Sequence, residues 1–534
     1  MPSATAIVSL VALVSAILYV VARIRLQVTQ DPREPPLVEC DIPYITPLLK
    51  LTDNKYFLKL RQRYGNVPIF TLRPAWMPKI YVINDPQLIA AVQRQPKLLT
   101  FQAISDKYSH LICNLSPTAI AVQKREHEKW LRDSAVGEGP SASIYKAVKP
   151  GKSLDDMNRA MLGALDQLSK NWASEVQGSP SFDLHSWVKD VITMASTEAI
   201  YGSANPYSSA DVRSRFWNYV FGLDKISMGV GRLLARHSLE SQAFLADKFE
   251  KYFSSKQHLQ ASDLTRQRFE WYSDHGFPLR DCANIEVGNG IAILTNTVPT
   301  AFWLTLHVFS DHKVLTACRD EVLQQVRETK DHTGGLVRTL DIAALKTACP
   351  LLQSAFREAM RVHSVAVGMR GVVQEHMLDG RYLLQKDAII WIPSTVQHFD
   401  RERWGADAAE YHHDRFADRT RSRAKNISFR AFGGGTTLCP GRHFAMTEIL
   451  AFVAMLLLRF EIEPASGTWV VPSTNKAGLT NVMPNPDFDV QVKMRRRSDD
   501  EGVKWVWKLI VSEHDVFSGS DEDHDERTTK VGSL

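Results

Sequence analysis

The feature that most constrains this chain is one cysteine set in a glycine-rich loop. The residues from Phe432 to Arg442 are Phe-Gly-Gly-Gly-Thr-Thr-Leu-Cys-Pro-Gly-Arg, and the sulfur belongs to Cys439. A helical pattern of apolar residues begins directly after this loop. Glycines let the backbone approach a flat ligand and point amide hydrogens at a sulfur, and the positive end of a following helix lowers a thiol pKa. The loop therefore predicts that Cys439 is a thiolate ligand to a metal.

Three other interpretations of the loop compete with this one. A phosphate-binding loop would end in Gly-Lys-Ser or Gly-Lys-Thr, and that ending is missing here. A zinc site needs about four clustered ligands, and only His443 lies near the cysteine in sequence. A buried structural cysteine is the ordinary interpretation of a single cysteine. The spacing Phe-x-x-Gly-x-x-x-Cys-x-Gly is specific enough to favour the metal ligand over all three.

This spacing resembles the haem-binding loop of the cytochrome P450 family. The resemblance implies a mainly α fold with a minor β-sheet subdomain, and haem b as the cofactor. It also implies that Cys439 is the axial ligand to the haem iron, and that Phe432, Gly435 and Gly441 belong to the cofactor site. A thiolate ligand donates electron density to the iron and favours cleavage of the O–O bond.

One position of the loop departs from the family pattern. Many members carry Arg or His two residues before the cysteine, where it pairs with a haem propionate, but this chain has Thr437 there. The propionates must then find positive charge elsewhere. Arg370 is the candidate, because a basic residue on the strand after the Glu-x-x-Arg helix often has this role in the family.

A second motif places a carboxylate and a guanidinium on one helix face, at Glu358 and Arg361. Alone, such a pair is more typical of an exposed helix surface. In the family the Glu-x-x-Arg pair is buried and is joined by an arginine from a later loop, which here is Arg415 in His-Asp-Arg-Phe. We expect these three residues to form a structural cluster rather than to take part in the chemistry.

The apolar stretch from Ile285 to Phe309 is expected to be the helix that crosses the distal face of the haem. Most family members carry an acid and an alcohol here, whereas this chain has Asn296 and Thr297, followed by Pro299. We predict that Asn296 and Thr297 are catalytic residues of the oxygen pocket, and the less favoured alternative for Asn296 is an amide that only stabilises a kink at the proline. The Asn-Thr-x-Pro sequence at 296–299 resembles that of the branch containing cholesterol 7α-hydroxylase and prostacyclin synthase.

These two relatives imply different reactions. The first implies an oxidoreductase, a monooxygenase that uses O2 to oxidise a lipophilic small molecule such as a terpenoid, a sterol or an intermediate of secondary metabolism. Electrons would come from NADPH through a membrane-bound cytochrome P450 reductase, since the chain has no flavin or dinucleotide motif. The second implies an isomerase or dehydratase that acts on a peroxide-like substrate without a reductase. A non-catalytic haem sensor or electron carrier is a third interpretation, which the apolar distal helix disfavours.

The N-terminus predicts a membrane anchor. No charged residue occurs from Ser3 to Ala22, and a span of about 20 apolar residues matches a bilayer crossing. A cleaved signal peptide is the alternative, but its positive charge would precede the apolar run, whereas Arg23 and Arg25 follow it. Basic residues on this flank stay cytosolic, so we expect a single-pass protein of the endoplasmic reticulum membrane with a cytosolic catalytic domain.

The remaining organisation follows from composition. With 64 basic and 59 acidic residues, the net charge of +5 gives no reason to expect a nucleic-acid partner. Short β-branched runs predict a hairpin near residues 67–83, and residues 365–395 regain strand character. The predicted segments are a transmembrane anchor at 1–23, a proline-rich hinge at 24–50, a haem-thiolate catalytic domain at 51–497 and an acidic, partly disordered tail at 498–534.

Overall fold

Helices dominate the structure, a computed structural model that describes residues 4–510 apart from 52, 54, 66, 134–140, 178–180, 419–427 and 479. The helices in this part are α1 Ala4–Val28, α2 Ile45–Lys50, α3 Tyr56–Tyr64, α4 Pro86–Gln93, α5 Gln102–Ile112, α6 Pro117–Arg132, α7 Ser141–Val148, α8 Lys152–Gln177, α9 Leu184–Tyr201, α10 Ala210–Phe221, α11 Leu223–Ser227, α12 Gly231–Leu234, α13 Arg236–Ser254, α14 Asp263–Asp274, α15 Leu279–Ser310, α16 His312–Leu323, α17 Ala344–Thr347, α18 Pro350–His363, α19 Ser394–His398, α20 Arg401–Trp404 and α21 Arg442–Arg459. The strands are β1 Ile69–Leu72, β2 Ile80–Ile83, β3 Leu99–Thr100, β4 Phe182–Asp183, β5 Val326–Lys330, β6 Leu336–Asp341, β7 Val367–Val372, β8 His376–Leu378, β9 Tyr382–Leu384, β10 Ile389–Pro393, β11 Phe460–Pro464, β12 Gln491–Arg496 and β13 Lys504–Lys508. A mainly α fold with small sheets is therefore confirmed.

Local sequence signals start several of these helices. Asp85 accepts hydrogen bonds from the first free amides of α4, and Ser116 does the same for α6. Proline follows each of these caps, where its missing N–H costs nothing and its fixed φ suits a first helical turn. The starts of α4 and α6 are thus determined by two adjacent residues, a cap and a proline.

Two apolar helices form the centre of the core. In α15 every residue from Thr297 to Phe309 is buried, and in α21 every residue from Thr447 to Arg459 is buried. Both helices are apolar around most of their circumference, which is the pattern of a helix enclosed on all sides. Helix α15 packs against α9, α13, α18 and α21, so it spans the body from one side to the other.

The main sheet joins early and late parts of the chain in the order β1-β2-β10-β7-β3. The predicted hairpin is confirmed, with Ile69 opposite Ile83 in an antiparallel pair. Strand β10 then runs parallel to β2, pairing Ile389 with Ile80, and antiparallel to β7, pairing Ile389 with Gly371. The segment after α18 is therefore incorporated in the main sheet, with β10 between β2 and β7.

The N-terminal helix extends further than the predicted anchor, through Val28. Within the described residues, two helices are long and apolar enough to cross a membrane, but 72% of the window in Leu279–Ser310 is buried, whereas no part of the window in Ile7–Val28 is. The segment after α1 packs on the body, because Glu34 is buried and accepts bonds from Lys79 Nζ at 2.6 Å and Tyr81 Oη at 2.8 Å. The proline-rich segment predicted as a hinge therefore lies against the main sheet.

The packed body also continues past residue 498, where the sequence predicts that the tail begins. Strand β13 pairs in parallel with β6, and Asp500 is 1% exposed and lies 3.3 Å from Arg459 Nε. A buried carboxylate needs a charged partner, which fixes this stretch to the body. The predicted disorder from Ser518 onward lies outside the described residues.

Candidate active site

One cavity of about 510 Å³ lies between the cysteine loop and α15. Phe432, Cys439 and Gly441 line one wall, while Asn296 and Thr297 line the facing helix. Arg370 lines it too, so six of the predicted site residues, which lie as far as 145 positions apart in the sequence, meet around one space. Most of the other lining side chains are aliphatic or aromatic, so the cavity suits a flat hydrophobic group and a lipophilic ligand beside it.

The cysteine loop needs glycine at two positions. Gly433 has φ +82° and Gly435 has φ +62°, a region of backbone conformation that side chains rarely adopt. A Cβ atom at Gly435 would also lie 2.9 Å from the Gln93 side chain. The Cys439 amide closes the loop by donating to the Phe432 carbonyl at 2.9 Å. Gly435, which the sequence predicts to belong to the cofactor site, lies against Gln93, a residue of the cavity wall, and its role toward the cofactor stays a prediction.

The environment of the thiol combines opposing effects. Burial raises the pKa of Cys439, whereas the amides of Gly441 and Arg442 and the Arg442 guanidinium act to lower it. Burial prevails, so the predicted lowering by the start of α21 is outweighed in the polypeptide alone. A thiolate at this position needs the additional positive charge of a bound metal.

Two of the three arginines that line the cavity lie near the cysteine loop in the wall. Arg370 on β7 is 6% exposed, and its guanidinium donates to the Met369 carbonyl at 2.7 Å and to the Thr437 hydroxyl. The cation thus contacts the residue that stands where the family has Arg or His. Arg430, which sequence reasoning missed as a site residue, lines the same cavity, and its amide donates to His398 Nε2 at 2.8 Å.

These residues fit haem. The described part of the chain has no group of three or more His, Cys, Asp or Glu side chains able to hold a metal ion. A single thiol can hold iron only if another group supplies the remaining ligands, as a porphyrin does. The apolar walls match the face of the macrocycle, and Arg370 and Arg430 match its two carboxylates. At Gly441 a Cβ would meet nothing within 4 Å, so open space lies directly beside the cysteine.

The wall formed by α15 is polar only through amides and alcohols. Thr297 Oγ1 donates to the Ile293 carbonyl at 2.9 Å, and Thr300 Oγ1 donates to the Asn296 carbonyl at 2.6 Å. Pro299 has no N–H to bond the Thr295 carbonyl four residues earlier, and the two hydroxyls bond carbonyls in the neighbouring turns. Among the described α15 residues that line the cavity, none is acidic.

The predicted charge cluster lies behind the cavity. Arg361 donates to both Glu358 oxygens at 2.8 Å, and Arg415 Nε donates to Glu358 Oε1 at 2.8 Å. Glu358 and Arg361 are both fully buried. Phe356 and Met360, on the same helix, line the cavity. The cluster thus anchors the helix that contributes part of the cavity wall.

The fold and this cavity define a haem-dependent oxidoreductase. A family model for cytochrome P450 matches residues 291–492. Cytochrome P450 monooxygenase nodJ of Hypoxylon pulicicidum is 32% identical over 490 residues, which cover 90% of this chain and 93% of the relative. A cytochrome P450 monooxygenase of Gibberella zeae is 27% identical over 92% of this chain and 94% of its own length, and cytochrome P450 7B1 of Mus musculus is 24% identical over 82% and 86%. The chain belongs to the cytochrome P450 family.

Proposed function

We propose that this chain is a membrane-anchored monooxygenase that inserts one oxygen atom of O2 into a lipophilic small molecule. The observation that carries the proposal is the cavity that Cys439 and the apolar wall of α15 share. The substrate class is a terpenoid, a sterol or a similar specialised-metabolism intermediate. A relative from Cricetulus griseus named cholesterol 7-alpha-monooxygenase, 28% identical over 38% of this chain, supports a sterol-like substrate.

In this proposal each site residue has a distinct task. Haem, when bound, supplies the activation of O2 and the transfer of oxygen to carbon. Cys439 would hold its iron through the sulfur, Phe432 would shield the sulfur from water, and Arg370 would pair with a propionate. Thr297 uses its hydroxyl hydrogen on the Ile293 carbonyl, so toward the cavity its oxygen can only accept a hydrogen bond. The Asn296 amide can donate one, so together these two residues orient water that delivers protons.

The proposed location is the endoplasmic reticulum membrane, with a single N-terminal span and a cytosolic catalytic domain. Helix α1 is exposed along its apolar length, and Arg23 and Arg25 lie at its C-terminal end. Phe221 is 84% exposed and Leu233 is 85% exposed in the α10–α12 region, which supports a second contact of the body with lipid. Electrons from NADPH then arrive through a separate membrane-bound reductase.

The test uses microsomes that contain this protein and a cytochrome P450 reductase, fed with a lipophilic extract of the source organism. Mass spectrometry compares samples with and without NADPH. We expect a compound to gain one oxygen only with NADPH, and not in the Cys439→Ala variant. The control is Ser254→Ala, a substitution at an exposed residue outside the cavity, which should keep the activity of the parent enzyme.

A haem-thiolate isomerase or dehydratase is the second candidate. The lack of an acid among the described cavity residues of α15 supports it, because a peroxide-like substrate brings its own activated oxygen and needs no proton relay to O2. The same experiment separates the two functions. Conversion without NADPH and without a change in mass would favour the isomerase and contradict the monooxygenase.

A further inference from the structure

A buried polar cluster forms part of the cavity wall and has no role in the mechanism above. Its ion pair joins Arg268 of α14, 4% exposed, to Glu286 of α15, 3% exposed, through Arg268 Nη2 and Glu286 Oε1. Tyr201 Oη donates to Glu286 Oε1 at 2.8 Å, and Asn289 Nδ2 donates to Glu286 Oε2 at 3.2 Å. Arg268 and Asn289 both line the cavity.

The cluster satisfies its carboxylate but not its guanidinium. Glu286 accepts three hydrogen bonds, whereas Arg268, with five N–H donors, uses only Nη2 among the described residues. Its Nε is buried and has no hydrogen-bond partner there. A buried donor without a hydrogen-bond partner costs folding free energy. Arg268 reaches the cavity with such donors, so it can bind a hydrogen-bond acceptor of a ligand.

We propose that Arg268 and Asn289 form a subsite for a neutral oxygen atom of the substrate, a carbonyl or a hydroxyl. The proposal rests on the proposed function, since it concerns the same lipophilic substrate. The unused guanidinium hydrogens and the second Nδ2 hydrogen of Asn289 donate to this oxygen. A carboxylate fits less well, because Glu286 already balances the charge of Arg268 and would repel a second anion.

The position of the subsite restricts which carbon is oxidised. Asn289 and Asn296 are seven residues apart on α15, close to two helical turns, so they share a face about 10 Å apart along the axis. A substrate held by its oxygen at Asn289 places beside Asn296 a carbon about 10 Å from that oxygen. The substrate is then a molecule that an earlier oxidation or hydrolysis has already given one oxygen function.

The test measures binding to the purified holoenzyme with three probes of equal chain length: 2-undecanone, n-undecane and undecanoic acid. Calorimetry and the absorbance change of the haem give the dissociation constants without turnover. One hydrogen bond to a charged donor predicts that the ketone binds about tenfold more tightly than the alkane. Arg268→Met combined with Glu286→Gln, which leaves no unpaired buried charge, should bring the two within about twofold.

A matched control lies on the same helix. Arg266 and Asp263 form a partly exposed pair on α14, and Arg266→Met with Asp263→Asn should leave the preference for the ketone intact. If the double variant at the subsite fails to retain haem, Asn289→Ala is measured instead, and it should weaken ketone binding severalfold while binding of undecane stays constant.

Three outcomes would overturn the subsite: equal affinity for ketone and alkane in the parent enzyme, an unchanged preference in the subsite variants, or tighter binding of undecanoic acid than of the ketone. The two proposals fail separately. NADPH-dependent oxygenation without a ketone preference would remove the subsite and keep the monooxygenase. A ketone preference lost in the variants, without any NADPH-dependent oxygenation, would keep the subsite and remove the monooxygenase.

Discussion

At the scale of single residues, Glu358 pairs with two arginines, one on its own helix and one on a later loop. It is fully buried, accepts from two guanidinium groups, and takes a further bond from the His412 amide at 3.1 Å. Arg361 in turn donates to the His398 and Ala408 carbonyls at 2.7 and 2.6 Å. The carboxylate thus ties α18 to the loop segment that precedes the cysteine.

We expect Glu358→Gln to destabilise the protein by about 3–5 kcal/mol, because it leaves two buried guanidinium groups facing an uncharged amide. Denaturant unfolding monitored by circular dichroism measures the change. The matched control is Glu240→Gln, since Glu240 forms an exposed pair with Arg236 within one helix. Glu240→Gln should unfold as the parent does, and parent-like unfolding of Glu358→Gln would contradict the structural role of the cluster.

A second prediction concerns His398. Burial, together with the charge of Arg361, lowers its pKa from 6.5 to about 3. Its Nε2 accepts the Arg430 amide, so folding requires the neutral ring. The unfolded chain binds a proton below pH 6.5 and the folded chain does not. The stability that the neutral ring contributes is therefore complete above pH 6.5 and is lost as the pH falls toward 3.

His398→Gln, which keeps an acceptor without a titrating ring, isolates this effect. The unfolding free energy of the parent, minus that of the variant, should fall by about 1.4 kcal/mol per pH unit below pH 6.5. Buried Glu448, whose pKa burial raises to about 8, acts in the opposite direction but cancels in the difference. His237→Gln, at a 99% exposed ring, should show no such slope. A constant difference from pH 7.5 to 5.5 would contradict the prediction.

At the scale of helices and strands, features with local signals were predictable. The hairpin β1–β2, the helix after the cysteine and the Glu-x-x-Arg pair each follow from spacings within a few residues. The buried pair Arg268 and Glu286 was not, because its partners are brought together only by packing of separate helices. Strand β13 was not predictable either, because its partner strand lies more than 160 positions earlier and the surrounding composition is typical of an acidic tail.

Two truncations test whether β13 belongs to the body. A chain that ends at Ile510 keeps β13 and Asp500, whereas a chain that ends at Arg497 loses the pairing with β6 and leaves Arg459 without its carboxylate. We expect the shorter chain to unfold at a clearly lower temperature and to retain less haem, because it exposes a sheet edge and a buried cation. Equal melting temperatures and haem contents would show that residues 498–510 contribute nothing to the fold.

At the scale of the whole molecule, two exposed apolar regions are the proposed contacts with a membrane. Helix α1 exposes apolar side chains between Ile7 and Val28, while the segment after it is fixed to the main sheet by Glu34, Lys79 and Tyr81. The α10–α12 region exposes Phe221 and Leu233 on the body itself. In the proposed membrane-bound state, this fixed segment keeps the second region at a constant distance from the bilayer, and a lipophilic substrate enters the cavity from the lipid.

Removal of residues 1–28 should separate the two contributions. We expect the full chain to resist extraction from microsomes by alkaline carbonate, and the shortened chain to be extracted by it while still sedimenting with vesicles in neutral, low-salt buffer. Replacing Phe221 and Leu233 by Ser in the shortened chain should release it to the supernatant, because each loses an apolar side chain that lipid would bury. Leu259→Ser, at another exposed leucine outside this region, is the control and should sediment as before. Carbonate-resistant binding of the shortened chain would contradict α1 as the single span.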